Sequence, residues 1–254
     1  MKSHWILALA ATGLIAAGPA EPAAELPAYI QVAVADAGRP DADKQRDDNR
    51  KPGELLVFAG VKPGTKIVDM IPGGGYFTRI FAKAVGDKGY VYAYVPSVLD
   101  EFIKKRYGSA DVSKLFAAYP NVSVIHAPIA KLVTPEQVDI VWTSDNYHDL
   151  HDSFFGPADL SVVNKAVYAA LKPGGVYIVV DHAAPNGSGI ADTDTLHRID
   201  EAVVKKEVEA AGFKLVGETS ILRNPADDRT AKVFDSAIRG KTDQFVLKFR
   251  KPAH

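Results

Sequence analysis

Residues 66–86, KIVDMIPGGGYFTRIFAKAVG, constrain this chain more than any other stretch. A short β-branched run ends in an acid, Asp69, and is followed by Gly73, Gly74 and Gly75. Phe77, Ile80, Phe81, Ala84 and Val85 then recur at helical spacing until Gly86 stops the helix. Glycines carry no Cβ, so the backbone turns sharply there and can approach a ligand closely. A strand that enters a helix through such a turn presents free N–H groups, a common seat for nucleotide-like ligands.

The same strand–helix pattern continues downstream. GYVYAYVP (89–96), NVSVIHAP (121–128), VDIVWTSD (138–145) and LKPGGVYIVVDH (171–182) read as further strands. Helical material lies at 98–118, at Leu160–Leu171 and at Ile199–Ala211. Strands that read as continuous apolar runs between helices predict an α/β fold with a parallel sheet covered on both faces. FKLVGETSIL (213–222) and DQFVLKFRKP (243–252) are strands joined by a polar, helix-free connection, which predicts an antiparallel last strand. Trp142 and the strand-two tyrosines read as core, and His126 as a satisfied core or strand-end residue.

Composition narrows the partners. A net charge of -1, from 30 basic and 31 acidic residues without a charged block, argues against a nucleic-acid partner. The absence of cysteine excludes disulfides, thiolate nucleophiles, Cys-based zinc sites and a lipoprotein anchor. Lys2 and His4 precede an apolar run from Trp5 to Ala17 and then GPAEPAAE, the pattern of a secretory signal peptide. The expected organisation is a signal peptide at 1–23, a helical lead-in or lid at 24–60 and the α/β domain at 61–254. The mature protein is then periplasmic or secreted, with no stable membrane association after cleavage. The lead-in is expected to hold one helix before the Pro52–Ala59 helix, for which Pro52 is a suitable first residue.

The order of these motifs resembles class I S-adenosylmethionine-dependent methyltransferases: strand–GGG–helix first, LKPGG before strand five, AGF before strand six, then an antiparallel final strand. PGGGYFT (72–78), TLHRID (195–200), EVEAAGF (207–213) and RNPADDRTAKVFD (223–235) resemble, more narrowly, a bacterial group of exported methyltransferases. The resemblance implies a three-layer Rossmann-like methyltransferase fold with a seven-stranded, mostly parallel sheet. It also implies S-adenosyl-L-methionine as cofactor, held by Asp69, Pro72, Gly73, Gly74, Gly75, Tyr76, Thr78, Asp145 and Asn146, and a small-molecule substrate. Two positions depart from the family's pattern. Ile71 stands where the first glycine of the loop belongs, and Val95 where an acid normally binds the ribose hydroxyls.

Methyl transfer needs positioning and, for some acceptors, a base. Ligands of open parallel sheets lie beyond the carboxyl ends of the strands. There the chain carries SDNYHDLHD (144–152) and DHAAPNGSG (181–189), rich in His and Asp. His148, Asp181, His182 and His197 are the candidate catalytic residues, with Tyr147 a candidate to stack on a substrate ring. In one reading His148 or His182 is a general base oriented by Asp145 or Asp181. In another, Asp145, Asp181 and a histidine hold a divalent metal. Asp159 and Asp200 are expected to cap helices. Arg198 is either a ligand for an acidic group or half of a surface pair, and Arg223, Asp227, Asp228 and Arg229 read as solvated ion pairs. A non-catalytic binding protein that kept the fold, or a metal-dependent enzyme of another type, remain the alternatives.

Overall fold

Apolar β-branched runs buried on both faces build the centre of the molecule. A computed structural model describes residues 25–109, 111–155 and 158–253; the signal-peptide reading falls outside them. The strands are β1 (Lys66–Met70), β2 (Tyr90–Pro96), β3 (Val122–Ala127), β4 (Val138–Ser144), β5 (Leu171–His182), β6 (Lys214–Thr219) and β7 (Gln244–Arg250). They form one seven-stranded sheet in the order β3-β2-β1-β4-β5-β7-β6. The pairs β1–β2, β1–β4, β2–β3 and β4–β5 are parallel, and β7 runs antiparallel to both β5 and β6. Burial follows position in the sheet: central β1 is almost wholly buried, whereas edge strand β6 alternates between exposed and half-buried.

The helices are α1 (Ala28–Val34), α2 (Asp41–Lys44), α3 (Asp47–Arg50), α4 (Pro52–Ala59), α5 (Tyr76–Val85), α6 (Asp100–Tyr107), α7 (Leu160–Ala170), α8 (Thr193–Leu196) and α9 (Glu201–Ala210). Alternate strand residues face opposite layers. Ile67, Ile140, Trp142 and Ile178 pack with α1, α4 and α5, and Val68, Val141, Tyr177 and Val179 pack with α7 and α9. Trp142 anchors the first layer, its ring 4.7 Å from Phe77 and 5.3 Å from Phe81. Asp159 and Asp200 cap α7 and α9 through backbone N–H groups, as their positions predict.

The lead-in departs from the single helix expected. It forms three short helices held by charge against α5. Arg39, fully buried, donates two hydrogen bonds to Asp47, at 2.8 and 2.6 Å, and another to the Val34 carbonyl. The same Asp47 carboxylate accepts the Tyr76 hydroxyl at 2.7 Å. Three guanidinium groups, Arg39, Arg46 and Arg50, lie 5.3, 5.1 and 4.6 Å from the Tyr76 ring. Arg79 adds a pair with Asp43 at 3.1 Å. Residues that read as a solvated run are therefore partly a buried polar interface.

Removing Asp47 leaves a buried guanidinium without its carboxylate. Asp47→Ala is expected to cost about 3 kcal/mol, read as a lower urea midpoint, and to expose segment 25–51 to proteolysis before the rest of the chain.

Candidate functional site

The strand order reverses between β1 and β4, so the connections leaving their carboxyl ends diverge and open a crevice. A cleft of about 1010 Å³ occupies it, continuous with a smaller pocket of about 190 Å³ through shared lining residues. The lead-in contributes Arg46 and Arg50, the glycine turn Pro72, Gly73 and Gly74, and the loop after β4 Asp145 and Asn146 to both.

One end of the cleft is the glycine turn. Ile71 has φ 61°, a left-handed conformation rare for a β-branched residue, at the position where related loops carry glycine. Its N–H donates to the Tyr94 carbonyl at 2.9 Å and its carbonyl accepts from Asn146 Nδ2 at 3.2 Å. These bonds and a buried side chain hold the strained backbone in place. Gly73 (φ 55°) has open space where a Cβ would stand, whereas a Cβ on Gly75 would lie 2.3 Å from Phe116 Cε1. Gly75 thus serves packing and Gly73 leaves room for a ligand. Asp69 is buried behind the turn, accepts the Thr78 hydroxyl at 2.6 Å and lines the smaller pocket. Thr78 is fully buried and acts through Asp69, while Tyr76 faces the pocket from beside Asp47.

Burial pushes Asp69 up to about 7 from its ordinary 3.8, against the hydrogen bond from Thr78 and the Arg50 charge. Asp145 is also in the left-handed region, φ 61°. Its carboxylate meets Arg50 at 3.0 Å and accepts from Gln244 Nε2 at 2.9 Å. Burial would raise its pKa, but Arg50 and His182 hold it below the usual carboxylate range. Val95 is buried and lines the cleft together with Pro96, Leu99, Phe102 and Ile103, so this wall is apolar. Asp100 does not reach in; its Oδ1 lies 3.2 Å from Nδ1 of His126, which is exposed rather than core.

The other end gathers the histidines. Asp181 is fully buried at the end of β5 and accepts from the His148 N–H at 2.7 Å and the His182 N–H at 2.8 Å. It also lies 2.7 Å from His148 Nδ1. Asp181 therefore positions His148 rather than facing the cleft. His148 Nε2 stands 3.1 Å from Asp149 Oδ1 and 3.3 Å from His197 Nδ1. Burial alone would lower the His148 pKa, but the Asp181 charge and hydrogen bonds to Asp149 and Asp181 raise it well above the imidazole range. Burial opposes ionisation of Asp149 too, yet its bonds to His148 and His197 bring it to about 2. His197 sits at φ 55° with its ring 4.8 Å from Phe234. His182 meets Thr242 Oγ1 at 2.7 Å and Gln244 Nε2 at 3.0 Å, and burial lowers its pKa.

Several expectations are corrected here. Asp145 and Asp181 do not converge on a common metal site: Asp145 belongs to Arg50 and Gln244, Asp181 to His148. Among the described residues, the group able to hold a metal is His148, Asp149 and His197. Tyr147 does not reach a substrate, being fully buried with its hydroxyl donating to Glu207 at 2.9 Å. Arg198 is not at the surface. It is buried against Asp227 at 2.9 Å, and anchors the connection that carries Phe234 and Thr242. Gln244 and Phe234 escaped sequence reading because each comes from a segment distant in the chain, whereas Arg50 belongs to the lead-in read as a lid.

No family model matches the sequence. Over 196 residues it is 28% identical to the ubiquinone/menaquinone biosynthesis C-methyltransferase UbiE of Shewanella oneidensis, and 25% to that of Shewanella woodyi. Each alignment covers 76% of this chain and 66% of the relative, so the chain spans about two thirds of their length. A S-adenosylmethionine-dependent methyltransferase from Aquifex aeolicus superposes with a TM-score of 0.56 over 84% of this chain and 98% of its own, at 21% identity. The chain thus shares the fold of the S-adenosylmethionine-dependent methyltransferases. The N-methyltransferase NodS of Bradyrhizobium japonicum is similar at a TM-score of 0.52, 13% identity, and 82% and 96% coverage.

Asp69 gives the site a pH signature. Its pKa is raised on folding, so the stability it contributes is complete below about pH 4 and is lost as pH rises towards 7. Asp69→Asn keeps an acceptor for Thr78 and removes this loss. The melting temperature of the variant relative to the parent is expected to rise from pH 5 to pH 8.

Proposed function

We propose that this protein is an S-adenosylmethionine-dependent methyltransferase acting on a small molecule with an apolar body, and that it works after export. The observation that carries the reading is the cleft at the strand reversal. Its near end is a glycine turn with room beside Gly73, and its far end is a cluster of histidines and carboxylates. The size of the cleft suits a cofactor and an acceptor together.

The residues present fit the methyl donor. Gly73 and Gly74 leave space for close approach, and Asp69 and Asp145 offer carboxylates to a cationic ligand. The apolar wall of Val95, Leu99 and Ile103 suits the face of a purine, although it supplies no carboxylate for ribose hydroxyls. When bound, the donor supplies an activated methyl group. The chain itself orients the two ligands, excludes water with Phe102, Phe154, Phe155 and Phe234, and offers polar groups at His148, Asp149 and His197. The relatives are C-methyltransferases of quinone biosynthesis, which favours a ring-bearing acceptor.

Calorimetric titration with S-adenosylmethionine and S-adenosylhomocysteine tests the reading. One saturable site is expected, tightening for the cationic donor as pH rises through about 7, where Asp69 ionises. Absence of saturable binding to either compound would sink it. Export is tested by N-terminal sequencing of the protein from its native cells, where loss of the segment up to Ala20–Ala24 is expected and an intact Met1 argues against it.

Two glycine variants separate the cradle from the fold. Gly73→Ala meets no neighbour and is expected to cost about 1 kcal/mol of left-handed strain while weakening donor binding. Gly75→Ala collides with Phe116 and is expected to lower the melting temperature much further. Equal losses of stability in the two variants would contradict this division.

A further inference from the structure

His148 faces a carboxylate from each side: Asp181 Oδ1 at 2.7 Å from Nδ1 and Asp149 Oδ1 at 3.1 Å from Nε2. With Nδ1–H committed to the fully buried Asp181, the Nε2 lone pair of a neutral ring points at other electron pairs. These belong to Asp149 Oδ1 and His197 Nδ1, the latter 3.3 Å away. A proton on His197 Nδ1 would relieve the contact between the rings but leave Nε2 against Asp149 Oδ1 at 3.1 Å, whereas a second proton on His148 or a metal ion relieves both.

The geometry points to a metal. We propose that His148 Nε2, Asp149 Oδ1 and His197 Nδ1 bind a divalent first-row transition-metal ion at the histidine end of the cleft. Their mutual separations are 3.1, 3.3 and 3.6 Å. A point about 2.1 Å from all three lies just outside their plane, the bond length of zinc-type ions to imidazole and carboxylate. Two imidazoles and one carboxylate on one side of an ion form the facial set that leaves other positions open. All three residues line the cleft, so those positions open on it.

Second-sphere support is also in place. Asp181 fixes the tautomer and orientation of His148 by accepting from Nδ1 and from the backbone N–H of the same residue. Asp152, buried beside this cluster and lining the same cleft, has an Oδ1 with no hydrogen-bond partner among the described residues. It lies near enough to Asp149 and His148 to interact electrostatically with both. The left-handed backbone at His197 aims its ring at His148 across the turn that ends α8, a costly conformation that the metal set gives a use. The ion's further role, holding an oxygen of the methyl acceptor, rests on the methyltransferase reading; the site itself does not.

The test uses the full chain purified without a polyhistidine tag, stripped with chelator and titrated with Co(II). Visible absorption reports the bound ion, and Zn(II) is the competitor. One Co(II) per chain, displaced by Zn(II), is expected, together with a higher melting temperature in Zn(II). His197→Asn tolerates the left-handed backbone, and Asp149→Asn keeps the side-chain shape. Each is expected to weaken Co(II) binding by about tenfold or more, and Asp181→Asn by about 10–100-fold as an outer-sphere partner. His126→Gln, at an exposed position on β3, is expected to bind as the parent does. A parent that binds no Co(II) saturably overturns the proposal, because His148 is then simply protonated. Parent-like affinity in both His197→Asn and Asp149→Asn overturns it as well. Methyl-donor binding is read separately by calorimetry, so failure of either reading is visible without the other.

Discussion

The reversal of strand order between β1 and β4 is the constraint on which the rest of this protein depends. Parallel strands send all their carboxyl ends to one edge, and at the reversal the outgoing connections part company. Beyond the lead-in, much of the cleft wall follows from it. The glycine turn leaves β1, Val95 and Pro96 end β2, Asp145 to Asp149 follow β4, and His182 ends β5. The antiparallel β7 reverses the rule usefully, because its first residue rather than its last lies at this edge. Gln244 therefore pairs with His182 in register and reaches both that ring and Asp145.

In and behind the cleft, three neighbouring carboxylates have three different sets of partners. Asp181, fully buried, is surrounded by backbone N–H groups and one imidazole and serves to orient. Asp145 is balanced by Arg50 from the lead-in. Asp149 stands between two histidines. Electrostatic character thus changes along the cleft, from an arginine-rich glycine end to an aspartate-rich histidine end. The non-glycine residues Ile71, Asp145 and His197, all with left-handed backbones, lie along this same line. Strain concentrated on a cleft and fixed by packing and hydrogen bonds is the signature of a pre-organised site. Ile71 illustrates the exchange: a glycine there would relax the backbone but surrender a buried side chain in contact with the core.

Much of the fold was legible because buried parallel strands are written as unbroken apolar runs. KIVDM, VYAYVP and VDIVWTS each became a strand within a residue or two of the expected ends. Asp159 and Asp200 were readable as caps because capping is local chemistry. The candidate site was legible only in outline. His148 and His197 lie in the cleft as expected, but Asp149 rather than Asp145 or Asp181 completes their group, since which of several nearby acids turns inward depends on loop geometry. The lead-in misled for a related reason. A charged run reads as solvated unless its partners are known, and those of Arg39, Asp43 and Arg50 include Asp47, Arg79 and Asp145. Arg198 and Asp227 became a buried pair across a separation of 29 residues that no local pattern reports.

The place of β7 has a consequence for the timing of synthesis. β5 lies in the middle of the sheet, yet one of its two neighbours, β7, is the last of the seven strands in chain order. Lys248, on that strand, donates to the carbonyl of Phe58, 190 residues earlier, so α4 also waits for β7. A chain made from its N-terminus can assemble β1 to β4 early, but the sheet stays open beside β5 and the histidine end lacks Thr242 and Gln244 until β7 emerges. Completion is thus deferred until β7 has been made. A polypeptide built this way carries its histidine end unfinished while its first six strands are made.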